Sequence, residues 1–343
     1  MCRDPKCQGH AILASMAHCV NVMPSPIPAK PLLAIVGPTA AGKTALAVRL
    51  ARRVDGEVIN SDSRQVYRGM DIGTAKPTAE ERARPDGGVR HWLIDVADPD
   101  EAFSLGRYLD LASEALQDCW SRRVLPLLVG GTGQYVWALL EGWRVPRVPP
   151  DRKLRAELEA LVERQGPQAL TEELARVDPE SAARIDPRNL RRVIRALEVQ
   201  RLTGRPLSAW RTRQPPEFAS TVIGLSCPRE ELYRRIDARV DVMMAAGLVE
   251  EVRGLIERGC GCDLPAMSGV GYRQVCQHLA GELSLEEAVA RIKTESHRLA
   301  RMQHTWFRPG DPRIHWIDVT AGDPLAEALR VVESKLTTAE DGR

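Results

Sequence analysis

The 343-residue chain carries 48 basic and 46 acidic side chains, a formal net charge of +2, so overall charge does not mark it as a nucleic-acid binder. Its residues are 43% hydrophobic, 27% charged and 4% aromatic, the composition of a globular protein rather than a disordered chain. No apolar run approaches the ~18 residues that would span a membrane. The length exceeds the ~100–200 residues usual for one domain, which implies a large core with an insertion, or two domains.

The basic residues are skewed, with 41 arginines against 7 lysines. GC-rich coding produces such a skew as readily as phosphate recognition does. Eight cysteines are scattered without paired spacing, which points to reduced thiols in a cytoplasm. Cys260-Gly-Cys262 near His278 is too irregular for a zinc site.

Residues 1–30 show no sustained periodicity and end in a proline-rich stretch, so they are expected to form a disordered N-terminal extension, with Met16 or Met23 as alternative starts. Leu32 to Val36 then reads as a buried strand. The helical pattern that follows places Leu46, Leu50 and Val54 four apart. "EVINSD" is a second strand ending on an acid, and "VLPLLVGGTGQY" a third that opens into a glycine-rich turn and a helix. Alternating strands and helices predict an α/β fold, a parallel sheet flanked by helices.

Proline clusters at 144–151 and 213–218 bracket a stretch with only helical patterns, after which "STVIGLSC" resumes an apolar strand. The economical organisation is a discontinuous core, 31–142 and 217–322, interrupted by an all-helical domain at 143–216 and followed by a C-terminal tail at 323–343. Within the insert, Asp186-Pro187 starts a helix. Leu190, Val193, Ile194 and Leu197 take one of its faces, and Arg188, Arg191, Arg192 and Arg195 another. That second face suits either solvent or phosphates.

Gly37-Pro38-Thr39-Ala40-Ala41-Gly42-Lys43-Thr44 satisfies the phosphate-loop pattern, and it lies between a strand and a helix as the pattern requires. Its amides and the helix N-terminus favour an anion, Lys43 adds a point charge, and Thr44 can ligate Mg²⁺. Asp62 ends the second strand beside this loop, where an acid can hold the metal, act as a base or cap a turn. Phosphate-loop kinases often carry an acid at this place as well. Gly130-Gly131-Thr132-Gly133 falls at the same carboxyl edge of the sheet, where open α/β sheets bind ligands. Late in the chain, His297, Arg301, His304 and Arg308 form one helical stripe beside Trp306 and Phe307. This mixture suits RNA, or else a packed Trp-Phe pair next to a solvated stripe.

Taken together, "GPTAAGKT", "NSDSRQVYRGMDIGTAKP", "LLVGGTGQY", "NLRRVIRALEVQRLTGRPLS", "RIDARVDVMMAAGLVEEV", "MSGVGYRQV" and "QHTWFR" resemble the motifs, in order, of the tRNA dimethylallyltransferases, also called tRNA isopentenyltransferases. The likeness runs from about residue 32 to about 318. It implies a P-loop NTPase-like core and transfer of a dimethylallyl group from dimethylallyl diphosphate to N6 of the adenosine just 3′ of the anticodon, with Mg²⁺ as cofactor. It also implies a cytoplasmic protein, a monomer, whose macromolecular partner is the anticodon stem-loop of tRNA.

By residue matching, the resemblance gives the loop 37–44 to the diphosphate, Arg235 to the same group, and Asp62 to the proton of the attacking amine. Asp62, Ser63, Arg64 and Gln65 should meet the target base or its neighbours. Thr132, Arg155, the run Arg188-Asn189-Leu190-Arg191-Arg192 and the run Ser268-Gly269-Val270-Gly271-Tyr272-Arg273 should contact the tRNA. Departures from the family pattern are His91-Trp92, preceded by "PDGGVR", and His297 and Met302 where arginines are usual. Prenylation of free adenine nucleotides and a small-metabolite kinase are the alternative activities.

Overall fold

A computed structural model describes residues 30–82 and 88–337 of the chain. The expected extension at 1–30, save Lys30, and part of the "PDGGVR" departure lie outside the described residues.

Six strands, β1 (Pro31–Val36), β2 (Gly56–Asn60), β3 (His91–Trp92), β4 (Leu125–Val129), β5 (Ala219–Ser226) and β6 (Ile314–Asp318), form one sheet in the order β3-β2-β4-β1-β5-β6. Every neighbouring pair is parallel. β1 is central and almost wholly buried, because its apolar side chains point into cores on both faces of the sheet. On one face α1 (Lys43–Val54) buries Leu46, Ala47, Leu50 and Ala51 against β1 and β4. A short helix, α2 (Ala79–Arg82), precedes β3. On the other face lie α3 (Leu105–Ser121) and α4 (Gly133–Leu140), with Tyr108 stacked on Tyr135 at 4.0 Å.

Between β4 and β5 the chain makes α5 (Arg152–Gln165), α6 (Pro167–Val177), α7 (Pro179–Arg184) and α8 (Leu190–Thr203), which pack around their own cluster of Leu158, Leu170, Leu174, Ile185, Val193 and Leu197. Trp143 bridges Arg213 antiparallel, and Gln214 N–H donates to the Gly142 carbonyl at 2.8 Å, so the chain enters and leaves this bundle side by side. The bundle is braced by Glu198, fully buried, which accepts from Arg155 at 2.7 Å and from Arg195 at 2.5 Å.

Past β5, α9 (Arg229–Ala245), α10 (Leu248–Glu257), α11 (Tyr272–Leu279) and α12 (Leu285–Trp306) close over the carboxyl edge of the sheet. Ser284 and Glu287 form a capping box that starts the 22-residue α12.

The structure departs from sequence expectation twice at this level. The expected tail at 323–343 contains α13 (Pro324–Thr337), which buries Leu325, Ala328 and Val332 in the core shared with α1. Its i, i+3, i+7 apolar spacing is the physical reason it docks rather than dangles. The cysteines are not all reduced thiols, because Cys262 and Cys276 are joined by a disulfide with Cα atoms 5.9 Å apart. They lie 14 positions apart in sequence, and the loop after α10 folds back on α11 to bring them together. Among the described residues, no helix is long and apolar enough to cross a membrane.

Candidate active site and nucleic-acid interface

The phosphate loop joins β1 to α1. Gly37 has φ 137°, and a Cβ there would lie 2.6 Å from the Leu225 carbonyl oxygen of β5, so both the backbone angle and the close approach require glycine. Lys43 turns its Nζ inward to the Pro38 carbonyl at 2.8 Å. Burial lowers its ammonium to about 8; nearby Asp62 opposes the shift and Arg239 adds to it.

Asp62 follows β2. Its backbone N–H is fixed by Asn60 at 3.0 Å, and one carboxylate oxygen accepts from the Arg64 N–H at 2.8 Å, an Asx turn that aims the carboxylate. Ser63 N–H donates to the Thr132 hydroxyl at 3.0 Å, tying this loop to the turn after β4. The rest of the loop is pinned from outside. Glu251 of α10 accepts from the N–H groups of Asp71, Ile72 and Gly73 and from the Tyr272 hydroxyl at 2.6 Å. Lys76, almost fully buried, holds Asp71 and Asp95.

Asp62, Ser63, Thr39 and Thr132 open into a single cavity of about 450 Å³, walled on its other sides by α9, α12 and Ser268–Tyr272. The lining mixes polar side chains with the apolar Ile236, Val240, Met243, Ile292 and Leu299. Such a site can hold both an anion and a hydrocarbon.

The expected site residues divide on inspection. Thr39, Asp62, Ser63, Arg64, Thr132 and Ser268–Tyr272 line this cavity. Arg64, however, spends its guanidinium on the Pro265 and Ala266 carbonyls and on Ser268 Oγ, and Gln65 donates to the Thr74 and Ala75 carbonyls. Both brace the wall. Arg155 and Arg195 are engaged by Glu198, Arg188 by Asp186, and Asn189 caps α8 by accepting from the Arg192 N–H. Leu190 is half-buried, which leaves Arg191 and Arg192 as the exposed arginines of that run without a partner among the described residues. Arg273 turns away from the cavity into a groove between α11 and α12, where Glu295 is 4.0 Å off.

Arg235, expected at the diphosphate, instead donates to Glu231 at 2.6 Å and is absent from the cavity wall. Arg239, one turn further along α9, lies at the cavity instead. It lines the cavity, reaches toward the Thr39 hydroxyl at 3.5 Å, and has its pKa lowered by burial against the pull of Asp62. Periodicity does not separate the two, since Arg235 lies one turn before Arg239 and next to the face that carries Leu232, Ile236, Arg239, Val240 and Met243.

The α12 wall is likewise shifted from the cationic stripe. Ile292, Ser296, Leu299, Gln303 and Trp306 face the cavity. His297 instead stacks on Tyr233 at 4.0 Å with Nε2 2.8 Å from Asp237, and Arg301 donates to the Tyr233 hydroxyl. Phe307 is buried in the core, so Trp306 and Phe307 do not act as a pair.

Gln303 escaped sequence reasoning. Its side chain accepts from the Thr39 N–H at 2.7 Å and donates to the Gly131 carbonyl at 3.2 Å, joining the phosphate loop, the glycine turn and α12. A Cβ on Gly131 would lie 2.2 Å from Gln303 Nε2, which explains the glycine.

An IPP transferase family model matches residues 65–310, and an isopentenyl transferase model residues 30–98. The chain is 56% identical over 302 residues to a tRNA dimethylallyltransferase of Roseiflexus castenholzii, covering 88% of this chain and 97% of that one. It is 50% identical to the Thermomicrobium roseum protein of the same name, covering 91% and 93% of the two chains. The crystal structure of the Bacillus halodurans tRNA isopentenylpyrophosphate transferase superposes with a TM-score of 0.67 at 43% identity, over 91% of this chain and 98% of that one. A eukaryotic dimethylallyltransferase acting on tRNA gives 0.74 at 26% identity, over 91% and 80%. A phosphate loop and a carboxylate facing one half-apolar cavity, in a chain this similar along most of its length, place the protein in the tRNA dimethylallyltransferase family of IPP transferases.

Proposed function

We propose that the protein transfers a dimethylallyl group from dimethylallyl diphosphate to N6 of the adenosine 3′ to the anticodon in tRNA, acting as a cytoplasmic monomer. The observation that carries this reading is that Asp62, Thr39 of the phosphate loop and Arg239 share a cavity that is also lined by the apolar side chains Ile236, Val240, Met243, Ile292 and Leu299. The loop amides, Lys43 and Arg239 bind the diphosphate, and the apolar side chains take the five-carbon group. The N6 nitrogen attacks the allylic carbon, the carbon–oxygen bond breaks to release diphosphate, and Asp62 accepts the N6 proton. Positive charge fixed at the loop matters most as negative charge accumulates on the leaving oxygen.

The hard oxygen donors here, the Thr44 hydroxyl and the Asp62 carboxylate, fit Mg²⁺, which binds few protein oxygens and completes its shell with phosphate and water. Among the described residues no group of three or more His, Cys, Asp or Glu forms a metal cage, so Thr44 would hold the ion together with the substrate's own oxygens. Bound Mg²⁺ supplies charge neutralisation on the diphosphate. The helical segment 143–216 is proposed as the tRNA-binding insertion, with Arg191 and Arg192 on its RNA side.

Incubation with an anticodon stem-loop, dimethylallyl diphosphate and Mg²⁺ should give RNA heavier by one prenyl group in mass spectrometry. Asp62→Asn should keep RNA and donor binding while slowing transfer by about 10²–10⁴-fold. Absence of any mass gain across stem-loops bearing the target adenosine overturns the reading.

A further inference from the structure

Among the described residues five large hydrophobic side chains are exposed, and two of them, Met302 and Trp306, stand in the wall of the substrate cavity. Deeper wall residues are dry: Ile236 is 2% exposed, Val240 3% and Tyr272 1%, against 39% for Trp306. Trp306 therefore marks the wet rim, and the next residue, Phe307, has turned into the core. The indole is held in place. A Cβ on Gly133 would lie 2.2 Å from Trp306 Cγ, so the ring rests against a position that only glycine leaves open. The Trp306 carbonyl accepts from Trp137 Nε1 at 2.9 Å, and Gln303, one turn earlier, anchors the helix to the phosphate loop.

A rigid, half-exposed indole at the mouth of a cavity that admits a base has an evident use. Extruding the target base from the RNA loop strips a neighbouring base of its stacking partner, a cost of a few kcal/mol. We infer that Trp306 is a stacking platform for the nucleobase flanking the target adenosine, replacing the partner lost on extrusion. Asp62, Ser63 and Thr132 engage the target base within, while Trp306 receives its neighbour at the rim. This rests on the tRNA-prenylating reading, and the two can fail separately.

The test uses the full-length enzyme and three stem-loops: intact, abasic 5′ of the target adenosine, and abasic 3′ of it. Prenylation of the intact stem-loop by the wild type tests the activity itself. Trp306→Ala should raise KM for intact RNA about 5- to 150-fold, the worth of one base–aromatic stack, with KM for the donor unchanged. One of the abasic RNAs should cost the wild type a similar factor and cost Trp306→Ala nothing more, because the contact is already gone. Trp306→Phe should restore most of the affinity, and Trp306→Leu, which fills space without a π-face, should not. Equal penalties for Trp306→Ala on all three RNAs, or rescue by leucine as good as by phenylalanine, would overturn the inference and leave Trp306 as packing.

Discussion

Arg235 and Arg239 lie one helical turn apart and carry the same charge, yet only Arg239 reaches the cavity, because Glu231 holds Arg235 outside it. Arg239→Gln should lower kcat/KM for the diphosphate donor by about 10²-fold or more, the scale of losing one preorganised charge at a developing anion. Arg235→Gln should stay within a few-fold, and steady-state kinetics with saturating RNA distinguish the two. Lys43 sets the pH response. Its folded pKa of about 8 lies below the ordinary 10.5, so the cost of burying the ammonium is fully present below pH 8 and is relieved as pH rises between those values, where the unfolded chain holds the extra proton. Donor binding runs the other way, because the anion needs the ammonium. Affinity for dimethylallyl diphosphate should fall as pH rises through about 8, approaching tenfold per pH unit, and Lys43→Met should flatten that fall; calorimetric titration at a series of pH values measures it.

Among the elements, α8 shows how one amphipathic pattern serves two ends. Its apolar stripe was legible from spacing alone, and Val193, Ile194 and Leu197 are buried as that spacing requires. The arginine stripe was legible only as a stripe. Arg195 is drawn inward by Glu198, whose carboxyl burial works to raise, but which hydrogen bonds from Arg155 and Arg195 hold down at about 2. This folded value lies below the usual 4.5, so the pair's stabilisation is present above pH 4.5 and fades as pH falls toward 2. Glu198→Gln should destabilise the four-helix segment by about 2 kcal/mol, less than the ~3–5 of a fully buried pair because both arginines reach solvent. Chemical denaturation at pH 7 checks the size, and repetition near pH 3 should show the difference from wild type shrinking. The α12 stripe left two readings open for a related reason: a helix offers several faces, and neighbours choose which one lines a cavity.

For the whole molecule, a net charge of +2 provides little long-range pull on RNA, so affinity must come from local groups. Arg191 and Arg192 are the exposed arginines at the α8 start whose side chains have no partner among the described residues. Replacing either with alanine should reduce the slope of log K against log salt for the stem-loop by about 0.7–0.9, the counterion release of one phosphate contact. Arg188→Ala, whose partner Asp186 already neutralises it, should change that slope less. Filter-binding across a salt series reads both.

Sequence alone determined the features that are local in the chain: the phosphate loop between a strand and a helix, the parallel sheet, the glycine turn at its carboxyl edge and the acid beside it. These follow from backbone demands and short-range periodicity, which neighbouring residues carry in full. Tertiary structure decided what depends on partners distant in sequence. It chose Arg239 over Arg235, turned Arg155 and Arg195 to bracing, paired Cys262 with Cys276 and docked 324–337 as a helix. It also set Gln303 and Trp306, more than 160 residues from the glycines they press on, into the wall of the site. A side chain's chemistry is written in the sequence, but its free valences are fixed only once packing has assigned its neighbours.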